Sequence, residues 1–237
     1  MFPIVPDLDK MSLSDAVGIV TITRDFNPLY KVHSLAYLAM ADTLKDLREA
    51  GAEQILVDYK NDDMPDTVAG EAAKIKAAGA TAMTVQAEGR PEMIRKAVEN
   101  GPGLVFAVTK LTSWTDKDIE DFYKRPANEV ITELAQWAVE GAAHGIVCSA
   151  NHVKWIDRDP RFNHLLRLVP GTRSLGIAAN DQKQVNTPYN AALNGGPNVL
   201  LVGGRQMTQA SQPQEAMLAI YEEWKQGIAT RSQTATA

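Results

Sequence analysis

The sequence predicts an α/β protein, a (β/α)8 TIM barrel built as a single domain. Three observations carry this. Short apolar runs rich in β-branched residues alternate with longer stretches of helical spacing. There are eight such runs, and no linker or composition break divides the 237 residues. Strictly alternating strands and helices give a parallel sheet covered by helices, and eight units close it into a barrel. A doubly wound open sheet would show fewer strands and a switch point.

The elements follow in order. FPIVP (2–6) is the first strand. VGIVTITRDFNP (17–28) fits a helix or an extra strand equally well. LYKVHS (29–34) is the second strand, and LAMADTLKDLREAG (38–51) is a helix with Gly51 at its C-terminal end. QILVDYK (54–60) is the third strand; DTVAGEAAKIKAAG (66–79) is the next helix, opened near Pro65 and closed by Gly79. TAMTVQA (81–87) and GLVFAVT (103–109) are strands four and five. The long stretch 118–145 reads as helix up to Gly145, followed by strands GIVCSA (145–150), LLRLVPG (165–171) and NVLLVGG (198–204). The barrel is assigned to residues 1–228, and the polar end ATRSQTATA (229–237) is expected to fray.

Composition narrows the function. A hydrophobic fraction of 45% supports a sizeable core, and a net charge of −5 argues against a nucleic-acid surface. The lone cysteine, Cys148, sits in an apolar run and fits a reducing cytoplasm. The start MFPIVPDLDK shows no basic-then-apolar leader, and no run approaches the ~18 apolar residues of a membrane span. The histidines show no H-x-x-x-H or H-E-x-x-H spacing, and neither a dinucleotide nor an NTP phosphate-loop motif is present, so a zinc site and a dinucleotide or NTP fold are not indicated.

In this fold chemistry gathers at the C-terminal ends of the strands. Reading those ends gives Asp7, Lys31, Asp58, Lys60, Asp63, Thr112, Ser113, Arg173, Gln182, Gly204 and Arg205. Strand alternation puts Leu56, Asp58 and Lys60 on one face. If Leu56 fills the lumen, Asp58 and Lys60 point into the mouth, where they need partners; Lys31 and Asp63 can supply them. Asp62 and Asp66 flank the first turn of the following helix, where its dipole favours acids. VGGRQMT (202–208) places glycines and an arginine after the last strand, a combination suited to a phosphate dianion.

The run DYKNDDMPDT resembles the D-x-K-x-x-D-I-P-x-T signature of the orotidine 5′-phosphate decarboxylase family and sets the register at Asp58, Lys60 and Asp63. Other segments agree in order: PDLD, matched at Asp7; YKV with Lys31; VTKLTS; GIVCSA; VPGTR; NDQKQVNTP; and VGGR. The resemblance implies decarboxylation of orotidine 5′-phosphate to UMP without metal or organic cofactor. Asp58 would oppose the substrate carboxylate, Lys60 would protonate C6, and Lys31 and Asp63 would hold Lys60. It also implies a homodimer with active sites at the interface, Asp63 and Thr67 reaching across. Asp7, Lys31 and Thr67 would meet the ribose, Thr112 or Ser113 the pyrimidine, and Gln182, Gly204 and Arg205 the phosphate, with Arg173 in the closing loop. The chain differs from the family's usual pattern at Gln86, where a histidine is common, and in VGGRQMT. Rival readings are a Mg2+-dependent sugar-phosphate decarboxylase or aldolase of the same suprafamily, which carries an acid where Lys31 stands, a Schiff-base aldolase using Lys60, and a nucleotide-binding barrel without turnover.

Overall fold

The computed structural model describes residues 1–174 and 186–234. Eight parallel strands form one sheet: β1 (Ile4–Pro6), β2 (Leu29–Val32), β3 (Gln54–Asn61), β4 (Ala82–Gln86), β5 (Leu104–Val108), β6 (Gly145–Val147), β7 (Leu166–Val169) and β8 (Val199–Gly203). The helices are α1 (Leu13–Thr23), α2 (Met40–Glu49), α3 (Pro65–Ala77), α4 (Arg90–Asn100), α5 (Asp116–Tyr123), α6 (Ala127–Glu140), α7 (Val153–Asp157), α8 (Pro188–Gly195), α9 (Arg205–Thr208) and α10 (Pro213–Thr234). Strand order runs β1-β8-β7-β6-β5-β4-β3-β2, a nearly closed (β/α)8 barrel. The seam between β1 and β2 is held by one bridged pair, Asp7 with Lys31, and by the Leu8 amide donating to the Lys31 carbonyl at 2.9 Å.

Alternation sorts the core into two layers. Val5, Leu29, Leu56, Phe106, Leu168 and Leu200 fill the lumen. Ile4, Tyr30, Ile55, Val57, Met83 and Val105 face outward and pack beneath the helices. The lumen is therefore a packed floor, and polar side chains at the strand C-termini stand on it.

The undecided stretch 17–28 is helix followed by a turn. Ser12 caps α1 in a capping box with Asp15, and Ala16, Ile19, Val20 and Thr23 bury one face. Gly51 (φ 111°) and Gly79 (φ 96°) end α2 and α3 in the left-handed region, as expected. The single helix expected over 118–145 is two. Lys124 turns left-handed (φ 56°), Pro126 cannot continue the hydrogen-bond ladder, and α6 starts afresh. That second helix stops at Gly141. Gly145 instead opens β6, where a Cβ would meet the Leu166 carbonyl oxygen at 2.6 Å and the Phe106 ring at 2.7 Å.

The tail expected to fray from 229 remains helical through Thr234. Arg231 anchors it, donating to Asp157 Oδ2 at 2.8 Å and to the Leu193 carbonyl at 3.1 Å. Local polarity gave no sign of these distant partners.

Histidine burial has a pH consequence. The Val105 amide donates to Nδ1 of His144 at 3.2 Å, so that nitrogen must be unprotonated, and burial holds the imidazole below its ordinary 6.5. The unfolded chain binds this proton first as pH falls, so stability is full above about 6.5 and declines below it. The urea midpoint is expected to drop as pH falls below about 6.5, and to drop less in His144→Gln, whose amide oxygen can still accept. Equal slopes in both proteins would refute this role.

Candidate active site

The barrel mouth is organised around one buried ammonium. Leu29 faces the lumen, so Lys31, two residues on, enters the mouth from the same face of β2. Its Nζ lies 2.8 Å from Asp7 Oδ1, 2.9 Å from Asp9 Oδ2 and 3.4 Å from Asp58 Oδ2. Burial works against this ammonium, but Asp7, Asp58 and Asp9 outweigh it and hold its pKa above the ordinary lysine value. Burial raises the Asp7 carboxyl, and Lys31 offsets this only in part. Asp9 also resists burial, yet Lys31 and the His33 amide, which donates to Asp9 at 2.9 Å, bring it below its usual range.

Asp58 passes the charge pattern along. Its Oδ2 faces both Lys31 and Lys60, the latter at 2.9 Å, and its Oδ1 accepts the Thr84 hydroxyl at 2.9 Å. Lys60 does not simply continue the alternation. It has a left-handed backbone (φ 55°) in a bulge, where pairing with β4 slips between Val57 and Asn61. Thr84 stabilises this bend by accepting the Lys60 amide at 2.9 Å. The bulge turns the Lys60 ammonium back over Asp58, whose backbone carbonyl it also reaches at 3.2 Å.

Lys31, Asp58 and Lys60 line a cavity of about 180 Å³, with Thr112 and Lys110 on its β5 side. Asp7, Pro170 and Val202 line both this chamber and a neighbouring one of about 260 Å³. The second chamber is walled by the ends of β7 and β8: Gly171, Thr172, Arg173, Gly204, Arg205 and Thr208. Arg173 is buried, and its Nε lacks a hydrogen-bond partner among the described residues. The mouth is thus one cleft with a lysine–aspartate end and an arginine–glycine end. Among the described residues no group of three His, Cys, Asp or Glu is placed to hold a metal ion. The mouth carboxylates are turned on lysines instead.

The remaining expected residues are distributed differently. Ser113 does not line the inner chamber; it borders an open groove beside Trp114 and Phe122. Asp63 and Thr67 are exposed on the rim after β3, and Asp63 Oδ1 accepts the Met64 amide at 2.6 Å. Asp66 lies in the first turn of α3 as expected, 3.2 Å from Lys96. Asp62 precedes that turn. Its carboxyl is raised by partial burial and by Glu88 and Asp63 nearby. Gln182 falls outside the described residues. Asp9, Thr84 and Lys110 went unread in the sequence; PDLD and VTK offered a signal, since i, i+2 spacing repeats a face.

A family model described as orotidine 5′-phosphate decarboxylase / HUMPS matches residues 4–220. The chain belongs to this family. It is 34% identical to the orotidine 5′-phosphate decarboxylase of Cutibacterium acnes, covering 93% of this chain and 95% of that one. It is 31% identical to the enzyme of that name from Streptococcus mutans, covering 92% and 95%. A crystal structure of orotidine 5′-phosphate decarboxylase from Lactobacillus acidophilus superposes with a TM-score of 0.76 at 29% identity, covering 94% of this chain and 99% of that one. The run DYKNDDMPDT (58–67) spans the end of β3 and the start of α3, at the bend that Thr84 supports.

Thr84→Val keeps the volume but leaves the Lys60 amide and one Asp58 oxygen without their partner. It is expected to lower the unfolding free energy by about 1–3 kcal/mol. An unchanged urea denaturation midpoint would remove Thr84 from its supporting role.

Proposed function

We propose that this protein decarboxylates orotidine 5′-phosphate to UMP and CO2, as a carbon–carbon lyase in pyrimidine nucleotide synthesis. The observation that carries the reading is the Lys31–Asp58–Lys60 array lining the inner chamber, in a chain that belongs to this family. The phosphate would lie at the arginine–glycine end, against Arg173, Arg205 and the Gly204 backbone, with Gln182 in the connecting segment. The ribose would lie beside Asp7 and Lys31, and the pyrimidine between Lys60 and Thr112.

The chemistry follows from the charges. Bound this way, the substrate carboxylate meets Asp58. Two carboxylates ~4 Å apart repel by about 4 kcal/mol at an effective dielectric near 20. Phosphate binding at the far end offsets that repulsion in the ground state. As CO2 leaves, the bonding electron pair stays on C6 and the repulsion is relieved. The Lys60 ammonium faces that pair, stabilises it, and transfers a proton to C6; solvent then reprotonates Lys60. Lys31 stays paired with Asp58 throughout. Its positive charge also distinguishes this mouth from a Mg2+ site, because an ammonium among the same carboxylates repels a divalent ion.

The functional unit in this reading is a homodimer in the cytoplasm. Asp63 and Thr67 stand exposed on the rim, and exposed Tyr37, Leu38 and Met64 give that rim an apolar surface suited to a second copy. The buried, unpaired Cys148, its thiol pushed up to about 12 by burial, suits a reducing compartment.

Two experiments test this. Loss of the orotate absorbance with EDTA present should proceed in the wild type and fall by at least about a thousandfold in Lys60→Ala. A folded wild type that leaves the substrate untouched refutes the decarboxylase reading. Separately, mixing inactive Lys60→Ala with inactive Asp63→Ala should restore roughly a quarter of wild-type activity, since half the randomised dimers regain one complete site. No recovery after subunit exchange would place Asp63 outside the shared site.

A further inference from the structure

A third ammonium enters the inner chamber from β5. Phe106 and Val108 face the lumen, and Lys110 keeps that face beyond the end of the strand. It is 8% exposed and lines the chamber together with Asp58, Lys60 and Thr112. Its Nζ is 2.7 Å from Glu88 Oε2, and Glu88 also accepts the Tyr123 hydroxyl. The ring centroids of Trp114 and Tyr123 lie 4.4 and 4.9 Å from the ammonium, a cation–π fence that limits its movement. An ammonium carries three N–H donors, and among the described residues Glu88 is its one hydrogen-bond acceptor. A buried donor with capacity to spare in a cavity wall is suited to a ligand oxygen.

The cleft fixes which oxygen that is. With a phosphate at Arg173 and Arg205, the chain of a nucleotide passes Asp7 and its base enters the inner chamber. There β3 presents Lys60 to the reacting carbon, and β5 presents Lys110 and Thr112 to a different edge of the ring. We propose that Lys110 is a specificity-determining residue that donates a hydrogen bond to a carbonyl oxygen of the pyrimidine base. Glu88, Trp114 and Tyr123 position it. A cation at a ring carbonyl also favours negative charge spreading from C6 onto that oxygen.

This inference rests on the decarboxylase reading for its ligand, so its test reads binding and not turnover. Calorimetry with UMP and with ribose 5-phosphate compares a ligand that has the base with one that lacks it. In Lys110→Met the UMP dissociation constant should rise about tenfold or more, while that of ribose 5-phosphate stays within about twofold. Lys110→Arg should keep most of the preference for UMP. If Lys110→Met does not fold, Glu88→Gln/Lys110→Met leaves no unpaired carboxylate at this position and is read by the same ratio. Equal weakening of both ligands, or weakening of neither, overturns the assignment. A wild type that prefers UMP but does not turn over orotidine 5′-phosphate would strike the decarboxylase reading and leave Lys110 in place.

Discussion

Lys31 carries its charge within the wall of a barrel, and carboxylates from two other strands must reach it. Leaving such an ammonium bare would cost several kcal/mol. Asp7 and Asp9 meet it from β1 and Asp58 from β3. The first of these contacts coincides with the Asp7–Lys31 bridge, where the two ends of the sheet join. The seam of the barrel and the centre of the candidate site are therefore one structure. What closes the sheet also fixes the ionisation of its mouth, with Lys31 held above its ordinary pKa and Asp9 below its own.

From that centre the charges alternate outward. Asp58 is held between two lysines and the Thr84 hydroxyl, so its carboxylate has a fixed orientation. Lys60 sits on a left-handed bend that is costly for a side chain bearing a Cβ and persists because its amide is bonded to Thr84. The strain lies in the backbone of the residue whose ammonium would, in the proposed reading, meet the reacting carbon. At the other end of the cleft stand Arg173 and Arg205, which in the proposed reading would offer charge to a group that takes no part in bond breaking. Separating the binding end from the reacting end lets attraction at one be set against repulsion at the other.

Several features were legible in the sequence because they depend on local rules. Eight alternating units require a parallel barrel. A period of two sends Asp58 to the face of Leu56, and left-handed glycines end α2 and α3 at Gly51 and Gly79. The spacing of Asp58, Lys60 and Asp63 carries the resemblance to the family. Even the division of α5 from α6 was readable in principle, at Pro126.

Other features depend on partners far away in the chain, which periodicity does not encode. That Asp9 joins Asp7 on Lys31 depends on where β1 ends relative to β2. Thr84 supports Lys60 because the β3 bulge slips the register by an amount set in space. Gly145 stands at the start of a strand, where the Leu166 carbonyl and the Phe106 ring leave no room for a Cβ. The polar tail stays helical because Arg231 finds Asp157. Lys110 reads as an ordinary strand-end lysine until Glu88, Trp114 and Tyr123 are seen around it. The sequence by itself determined the class of fold and the types of charge at the strand ends, since both follow from alternation and composition. Tertiary structure alone decided which charges face each other, because Coulomb and hydrogen-bond energies depend on ångström separations between residues distant in the chain.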